Sequence, residues 1–386
     1  MHFRGLRPST MPSPLFGSCL CLNLSLLLTL LLCPPSTARP LPSSCFAFPN
    51  GNDNNGPTSN GDSAGLTSQF QDITGNLSRR ELLLIGTGGV AYAKLVGDAI
   101  SRIARGNAYP AEHEDRVRKT LQLAIAEAAR AAQLREGGDS FGNPDESAPQ
   151  KRPLRVLEIG IGSEARVASR GLYGGALDEL LLLSSGGGAD KLPSSILTGV
   201  EIIGIDINVP KVEILDKARE QLSHPNGCIL PSFRTTLDVV QGNIVEGLPQ
   251  YPSGWFDSIV CALTLCSVSD QERALTEIRR LVNPNGGTFG FVEHCAVRLN
   301  EEGEADKAFL EWQQRTLDPL QQLVADNCHL HRETDLAIYD VFGVNDNGSS
   351  RGGSMGGSKV LQKERFFVDD MWPVSCQCSG VVQRYT

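Results

Sequence analysis

A short apolar run that ends in two closely spaced glycines constrains the fold of this chain more than any other feature. Residues 155–165 have the sequence RVLEIGIGSEA. The apolar run is typical of a strand buried in a parallel sheet. Gly160 and Gly162 permit a sharp turn in which backbone N–H groups come close to a ligand. Glu158 falls at the carboxyl end of the strand, where open α/β sheets bind ligands. This stretch therefore predicts a first parallel strand with a cofactor site at its end.

A second apolar run, EIIGID at 201–206, ends in a carboxylate. An acid at the tip of the second strand can accept hydrogen bonds from both hydroxyls of a ribose. Asp206 and the two glycines together indicate a nucleoside-containing cofactor. NAD and S-adenosylmethionine (SAM) both fit this pattern, so the glycines alone do not distinguish them.

Strand and helix signals alternate from residue 153 onward, which predicts a parallel sheet covered by helices. We expect 364–368 and 380–385 to close that sheet as an antiparallel pair, and the Gly/Ser-rich segments 184–195 and 345–358 to be an insertion and a loop. The predicted strands are 154–159, 200–205, 233–240, 256–262 and 288–292, and the predicted helices are 166–183, 210–222, 271–282 and 304–329.

Charge and cysteine usage narrow the class of partner. The 386 residues carry a formal net charge of −9, and no segment is dense in lysine and arginine. Because nucleic-acid binding needs a basic face, we expect no nucleic-acid partner and favour a small-molecule substrate. The 11 cysteines are irregularly spaced, and Cys376 and Cys378 do not form the C-x-x-C of zinc or redox sites. The sequence therefore predicts neither a disulfide framework nor a metal site.

Residues 1–50 have the features of a targeting presequence. The leucine-rich run at 20–32 has the length of a signal-peptide core, and small residues follow at 36–38. The FAFP stretch at 46–49 resembles the junction of bipartite plastid presequences in diatoms and related algae. We expect entry into the secretory route and delivery to an algal plastid, with the endoplasmic reticulum membrane as the alternative. The Asn/Gly/Ser-rich linker at 51–77 is expected to be disordered.

A hydrophobic segment covers 78–110 and opens with SRRELLLI. It resembles a twin-arginine thylakoid signal. The alternatives are a membrane anchor or interfacial helix and a helix packed on the globular domain, because Lys94 and Asp98 interrupt the apolar run. The Ala-rich stretch 111–136 has helical composition. We expect it to cover the cofactor pocket and to lead through a linker to residue 153.

Several segments together carry a family resemblance. FDSIVCALTLCSV at 256–268, QERALTEIRRLVNPNGG at 271–287 and FVEH at 291–294 resemble class I SAM-dependent methyltransferases. WQQ at 312–314 and CHL at 328–330 extend the likeness to the membrane-associated methyltransferase-like family that includes thiol S-methyltransferases. The resemblance covers about 154–340. It implies a Rossmann-like α/β fold for 154–386, with a mostly parallel seven-stranded sheet and an antiparallel C-terminal hairpin.

The same resemblance implies SAM as the cofactor and assigns its contacts. The glycines would approach the methionine end, Asp206 would hold the ribose, and Asn243 would lie beside the adenine unless its amide forms a turn instead. One departure from the family pattern is Glu164, which replaces the usual third glycine and would repel the SAM carboxylate unless it faces solvent or Arg166 compensates. The implied cofactor-binding residues are Glu158, Gly160, Ile161, Gly162, Asp206, Asn243, Ile244, Ala262 and Leu263.

Methyl transfer from a sulfonium is an in-line displacement, and alignment can supply much of its catalysis. Where the acceptor needs a base, Glu293 and His294 at the end of the fifth strand are the candidates, with a structural hydrogen bond as the alternative role for His294. Phe309, Trp312 and Leu317 could line the acceptor pocket. Two further cysteines are expected to be buried apolar residues and not nucleophiles: Cys266 and Cys295.

The leading interpretation is a SAM-dependent methyltransferase that acts on a small, rather apolar acceptor such as a thiol. One alternative is an NAD-dependent Rossmann oxidoreductase, because Ala165 satisfies the G/A variant of that fingerprint. The other is a non-catalytic, membrane-associated protein with the same fold, which Glu164 favours. The hydrophobic segment and the family resemblance predict membrane association, and the oligomeric state stays open.

Overall fold

The computed structural model describes residues 88–89, 92, 94, 109–138, 152–184, 197–223, 233–344 and 357–385. The chain divides into two compact units, Met1–Tyr92 and Ala93–Thr386. In the first unit the described residues 88, 89 and 92 are helical. The predicted presequence, the predicted linker at 51–77 and most of the hydrophobic segment at 78–110 lie outside the described residues. Among the helices that the structure describes, none is both long enough and apolar enough to cross a membrane.

The second unit contains one seven-stranded sheet in the order β3-β2-β1-β4-β5-β7-β6. Neighbours among β1 to β5 are parallel, and β7 runs antiparallel to both β5 and β6. The prediction of a mostly parallel seven-stranded sheet with an antiparallel C-terminal hairpin is therefore confirmed. The strands are β1 (Arg152–Ile159), β2 (Leu197–Asp206), β3 (Arg234–Gln241), β4 (Ser258–Ala262), β5 (Thr288–His294), β6 (Ser358–Phe367) and β7 (Cys376–Arg384).

Helices cover both faces of this sheet, mostly where the sequence predicts them. The predicted helix at 166–183 is divided in two, because Gly171 takes a φ of +66° between the halves, a conformation that ends a right-handed helix. The last helix of the unit was not predicted. The helices are α1 (Ala111–Gly138), α2 (Arg166–Ser169), α3 (Gly174–Ser184), α4 (Val212–Ser223), α5 (Gln271–Leu281), α6 (Ala308–Val324) and α7 (Thr334–Phe342).

Helix α1 packs directly on the sheet. The Thr288 hydroxyl on β5 donates a hydrogen bond of 2.8 Å to the Ala124 carbonyl, and a Cβ added at Gly290 would lie 3.0 Å from the Ala124 Cβ. Small residues on both elements therefore allow the close approach. The apolar residues of α1 to α4 pack on one face of the sheet, whereas those of α5 and α7 pack on the other. Helix α1 is thus a core helix, and its first turn approaches the carboxyl ends of the strands.

A buried carboxylate ties α1 to the first strand. Asp257 accepts hydrogen bonds from Arg152 at 2.6 and 2.9 Å and from Arg135, near the end of α1, at 2.8 Å. The backbone N–H of Arg155 adds a fourth at 3.1 Å. Burial opposes ionisation of Asp257, but the Arg152 hydrogen bond and the nearby guanidinium charges outweigh it and hold the pKa below its usual range.

Candidate cofactor site

A cavity of about 950 Å³ opens at the carboxyl ends of β1, β2 and β4. Open α/β sheets bind their ligands at this edge, at the point where the strand order reverses on either side of the first strand. The cavity brings together all nine residues that the sequence predicts as cofactor contacts: Glu158, Gly160, Ile161, Gly162, Asp206, Asn243, Ile244, Ala262 and Leu263.

The two glycines after β1 serve different purposes. Both have a positive φ, +71° at Gly160 and +68° at Gly162, which L-residues with side chains rarely adopt. A Cβ at Gly160 would lie 2.0 Å from the Thr264 Oγ1, whereas a Cβ at Gly162 would meet nothing within 4 Å. Gly160 therefore permits the packing of two loops, and Gly162 leaves room that a ligand can use.

Asp206, at the end of β2, lies beside the glycine turn and supports it. One carboxylate oxygen accepts the backbone N–H of Gly162 at 2.9 Å, and the other accepts the backbone N–H of Asn208 at 2.9 Å. An ionised carboxylate offers about four lone-pair sites. The two bonds therefore leave acceptor capacity for the two hydroxyls of a ribose, so this residue fits a nucleoside cofactor.

Glu158 is an ionisable group buried at the cavity wall. The Tyr173 hydroxyl donates a 2.7 Å hydrogen bond to one of its oxygens. Burial raises the pKa of Glu158 to about 7, although the Tyr173 hydrogen bond partly opposes that rise. Such a carboxyl can change protonation near neutral pH and favours a cationic group on a bound ligand.

Asn243 forms the turn that the sequence left as its alternative role. Its side-chain oxygen accepts the Val245 backbone N–H at 3.0 Å, and its amide donates to Glu246 at 3.2 Å. Asn243 and Ile244 still line the cavity. The side chain of Asn243 thus shapes the loop after β3 whether or not it also contacts an adenine.

Glu164, which replaces the third glycine of the family pattern, lies in the cavity wall, and so does Arg166. The Arg166 guanidinium carbon lies 4.1 Å from the centre of the Tyr109 ring, a cation–π distance. Because opposite charges are present on the same wall, a cationic group is available to compensate for Glu164.

Glu293 and His294 do not line the cavity, although both lie at the end of β5. Each is almost completely buried. Glu293 accepts backbone N–H groups of Thr264 and Leu265, and His294 is hydrogen-bonded through Nε2 to the His329 carbonyl at 2.6 Å. The end of β5 is covered by the loop after β4 and by the segment after α6, so these side chains meet protein groups and not the cavity.

The aromatic residues expected at the acceptor pocket also lie elsewhere. Phe309 and Trp312 stack on each other with ring centres 5.7 Å apart and are exposed. Helix α6 instead buries Gln314, whose side chain bonds the backbone of Val297 at 2.8 Å and of Cys295 at 3.2 Å. The hydrogen bonds of Gln314 therefore hold a polar side chain in the buried face of this helix, which an apolar periodicity does not detect.

The sequence reasoning missed several cavity residues, and three of them carry polar groups that matter for the chemistry of the wall. Tyr109 lies just before α1, His113 lies in its first turn, and Thr264 follows β4. The His113 Nδ1 is 2.8 Å from the Gln377 side-chain oxygen on β7. Burial, the largest influence, lowers the pKa of His113, so the imidazole is neutral near pH 7. No local motif marks these residues, because α1 reaches the site only through tertiary packing.

Known proteins resemble part of this chain. A family model described as a methyltransferase domain matches residues 183–289. Human thiol S-methyltransferase TMT1A is 43% identical over 93 residues, which are 24% of this chain and 35% of the relative. Rat thiol S-methyltransferase TMT1B is 38% identical over 89 residues, 23% of this chain and 33% of the relative. The match thus spans about a third of the length of these curated relatives.

Solved structures give weaker likenesses. A SAM-dependent methyltransferase from Methanosarcina mazei is 15% identical with a TM-score of 0.35, covering 61% of this chain and 94% of that chain. At this TM-score the match carries no weight. The strand order, the glycine turn and the matched segment agree with one another: the chain has the Rossmann-like fold of class I methyltransferases, and part of it is similar to thiol S-methyltransferases.

Proposed function

We propose that this protein transfers a methyl group from SAM to a small, rather apolar acceptor, and that the acceptor is a thiol. The observation that carries the first part is the joint position of Asp206 and the glycine turn on one cavity at the carboxyl ends of β1 and β2. The partial likeness to thiol S-methyltransferases supports the second part.

In this proposal each part of the wall has a defined task. Bound SAM supplies an electrophilic methyl group on a sulfonium. Gly162 would admit the methionine end, Glu158 would face its ammonium group, and Asp206 would hold the ribose hydroxyls. Arg166 offsets the charge of Glu164 near the SAM carboxylate. Asn243 and Ile244 would lie beside the adenine, and Ala262 and Leu263 would line the wall near the sulfonium.

A thiol suits the groups at this wall. Thiols ionise not far above neutral pH and need only mild activation. His113 lies at the cavity wall, and its Nδ1–H can donate to Gln377, which leaves the Nε2 lone pair able to accept a proton. We therefore propose His113, in place of Glu293 or His294, as the group that takes the thiol proton.

The NAD-dependent alternative is not favoured. A classic dinucleotide-binding sheet has the order 3-2-1-4-5-6, whereas here the antiparallel β7 lies between β5 and β6. The matched family model also describes a methyltransferase domain. Loss of catalysis with retention of the fold is the remaining alternative, and the experiment below separates it from the proposal.

Calorimetry of the purified protein with SAM, S-adenosylhomocysteine and NAD tests the cofactor. We expect binding of the first two compounds and none of NAD. Labelled SAM with a panel of alkyl thiols, phenols and quinol-like acceptors then tests the reaction. Methylation of protein or RNA without turnover of any small acceptor would contradict the proposed substrate. SAM binding with no turnover of any acceptor would indicate the non-catalytic alternative.

We also propose that the N-terminal segment directs the protein into the secretory route and onward to a plastid, and that residues 78–110 favour membrane association. The leucine-rich core at 20–32 and the FAFP stretch at 46–49 support this destination. A fluorescent fusion of residues 1–75 should be imported, and substitution of Phe46 by alanine should stop it short of the plastid. A fusion that stays diffuse in the cytosol would contradict the proposal.

A further inference from the structure

Three potential metal ligands from distant parts of the sequence meet beside the cavity. Cys266 follows β4, His294 ends β5, and Cys328 follows α6. One ligand atom from each residue lies within 4.8 Å of those of the other two, and all three residues are buried. The three ligands are much farther apart in the sequence than those of the short cysteine motifs by which metal sites are recognised. The sequence therefore predicted no metal site.

The distances suit a tetrahedral zinc ion. The Sγ atoms of Cys266 and Cys328 are 3.9 Å apart, and the Cys328 Sγ is 3.9 Å from Nδ1 and 4.0 Å from Nε2 of His294. With Zn–S of about 2.3 Å and Zn–N of about 2.0 Å, tetrahedral geometry separates such ligands by roughly 3.5–3.8 Å. The Sγ–Sγ and Sγ–Nδ1 separations exceed the tetrahedral values by only a few tenths of an ångström, and the ligand atoms of Cys266 and His294 lie within 4.8 Å of each other. A disulfide would need the two sulfur atoms at about 2.0 Å.

The hydrogen bonds around His294 prepare one nitrogen for a metal. The His329 carbonyl, 2.6 Å from Nε2, can only accept, so Nε2 carries the proton and Nδ1 keeps its lone pair. A backbone carbonyl on the far nitrogen is the usual support of a metal-binding histidine. The His329 N–H also donates to the Cys266 carbonyl at 3.0 Å, which joins two of the ligand-bearing segments.

A second cluster, formed by residues of β7, α7 and the chain just after β5, provides a contrast. Cys295, Asp335 and Cys378 also place ligand atoms within 4.8 Å of one another. There, however, one oxygen of Asp335 is 2.6 Å from Arg298 and 3.0 Å from Arg365, and two guanidinium groups on a ligand disfavour a cation. Near the first cluster, the Arg332 guanidinium is already bonded to the Leu265 and Val268 carbonyls.

We propose that Cys266, His294 and Cys328 bind one Zn²⁺ ion. On binding, each thiol releases its proton to solvent and forms a Zn–S bond, and His294 binds through Nδ1. Two thiolates neutralise the ion, so the nearby Arg332 is tolerated. Three protein ligands leave the fourth position to water or another small donor. The neighbours Ser267 and Asn327 line the cavity, so the ion fixes that part of the wall.

Metal content of the full-length protein tests this proposal. Elemental analysis should find about one zinc per chain, and cobalt exchanged into the site should give the absorption of thiolate-to-cobalt charge transfer. The zinc content of purified Cys328→Ser should be lower than that of the wild type by roughly tenfold or more. Cys378→Ser, which alters a buried cysteine of the second cluster, should keep both the zinc and the cobalt spectrum.

Unaltered protein provides a measurement that does not depend on the folding of a variant. Removal of zinc by a chelator should lower the thermal midpoint, and zinc should restore it whereas magnesium should not. The proposal would be overturned if the wild-type protein contained no zinc. It would also be overturned if Cys328→Ser bound as much zinc as the wild type. A thiol count showing that Cys266 and Cys328 form a disulfide would overturn it as well. None of these readouts requires methyltransferase activity, so the proposed function can fail without affecting this result.

Discussion

Both carboxylate oxygens of Glu293 lie within hydrogen-bonding distance of the Thr264 backbone N–H, at 2.9 and 3.0 Å. Glu293 also accepts the Leu265 N–H at 3.1 Å. Leu263, the residue before Thr264, has a φ of +54°. This conformation is strained, and the hydrogen bonds of the neighbouring residues must maintain it. The carboxylate at the end of β5 thus orders the loop after β4, including its cavity-lining residues.

We predict that Glu293→Gln weakens this loop. The amide can accept from only one side, and its NH₂ group would meet a backbone N–H. Loss of a charged acceptor should lower the free energy of unfolding by about 1.5–3 kcal/mol, measured by urea denaturation, and should weaken SAM binding in calorimetry. A variant with normal stability and normal SAM affinity but greatly reduced turnover would instead return Glu293 to a catalytic role.

The two glycines of the turn should respond differently to alanine. At either position a positive φ costs about 1–2 kcal/mol. Gly160→Ala adds the clash with Thr264, worth roughly another 1–3 kcal/mol, so it should be the less stable variant in urea. Gly162→Ala should stay closer to the wild type in stability but lose SAM affinity, because its methyl group enters the cavity. Equal destabilisation by both changes would contradict this division of roles.

The sequence predicted β1, β2, β4 and β5 well because each is a mostly buried apolar run bounded by turn residues, and it predicted β3, a largely exposed strand, from the alternation of strand and helix signals. It missed α7, although Gly343 ends that helix with a φ of +67°. That the nine predicted residues line one cavity was predictable because strand ends in a parallel sheet converge. The placement of His113, and the exclusion of His294 from the cavity, follow from which segments cover each strand end. That coverage depends on long-range packing, which a local pattern does not encode.

Asp206 should be required for SAM binding and not for folding. Its carboxylate supports the Gly162 N–H and has acceptor capacity left for the ribose. Loss of such a hydrogen bond costs about 1.5–3 kcal/mol, which corresponds to roughly a tenfold to hundredfold weaker affinity for Asp206→Ala. Asp238→Ala, an exposed aspartate on the neighbouring β3, is the matched control and should bind normally. Unchanged calorimetric affinity in folded Asp206→Ala would exclude the assignment.

If His113 takes the thiol proton, His113→Gln should reduce turnover most where the thiol is still protonated. Burial lowers the pKa of His113, so the wild-type base is active at and below neutral pH. At high pH the thiolate forms without help, and the variant should approach the wild type. A profile of thiol methylation against pH checks this expectation. An equal loss at every pH would leave His113 with a structural role through Gln377.

Glu158 should make the stability of the ligand-free protein depend on pH. Its pKa is about 7 when folded against 4.5 for the ordinary carboxyl, so between these values the folded protein holds a proton that the unfolded chain has lost. The stability from that proton is fully present below 4.5 and is lost as pH rises through 7. Glutamine cannot ionise and can still accept the Tyr173 hydroxyl.

Glu158→Gln should therefore be more stable than the wild type above neutral pH, by at most about 3 kcal/mol, and similar to it near pH 4. Urea denaturation of both proteins without SAM at about pH 4 and about pH 8 measures the difference. SAM affinity should change in the opposite direction, because the variant lacks the carboxylate that faces the ammonium group. A stability difference that does not vary with pH would mean that Glu158 keeps one protonation state throughout, and the expected coupling between its ionisation and cofactor binding would then be absent.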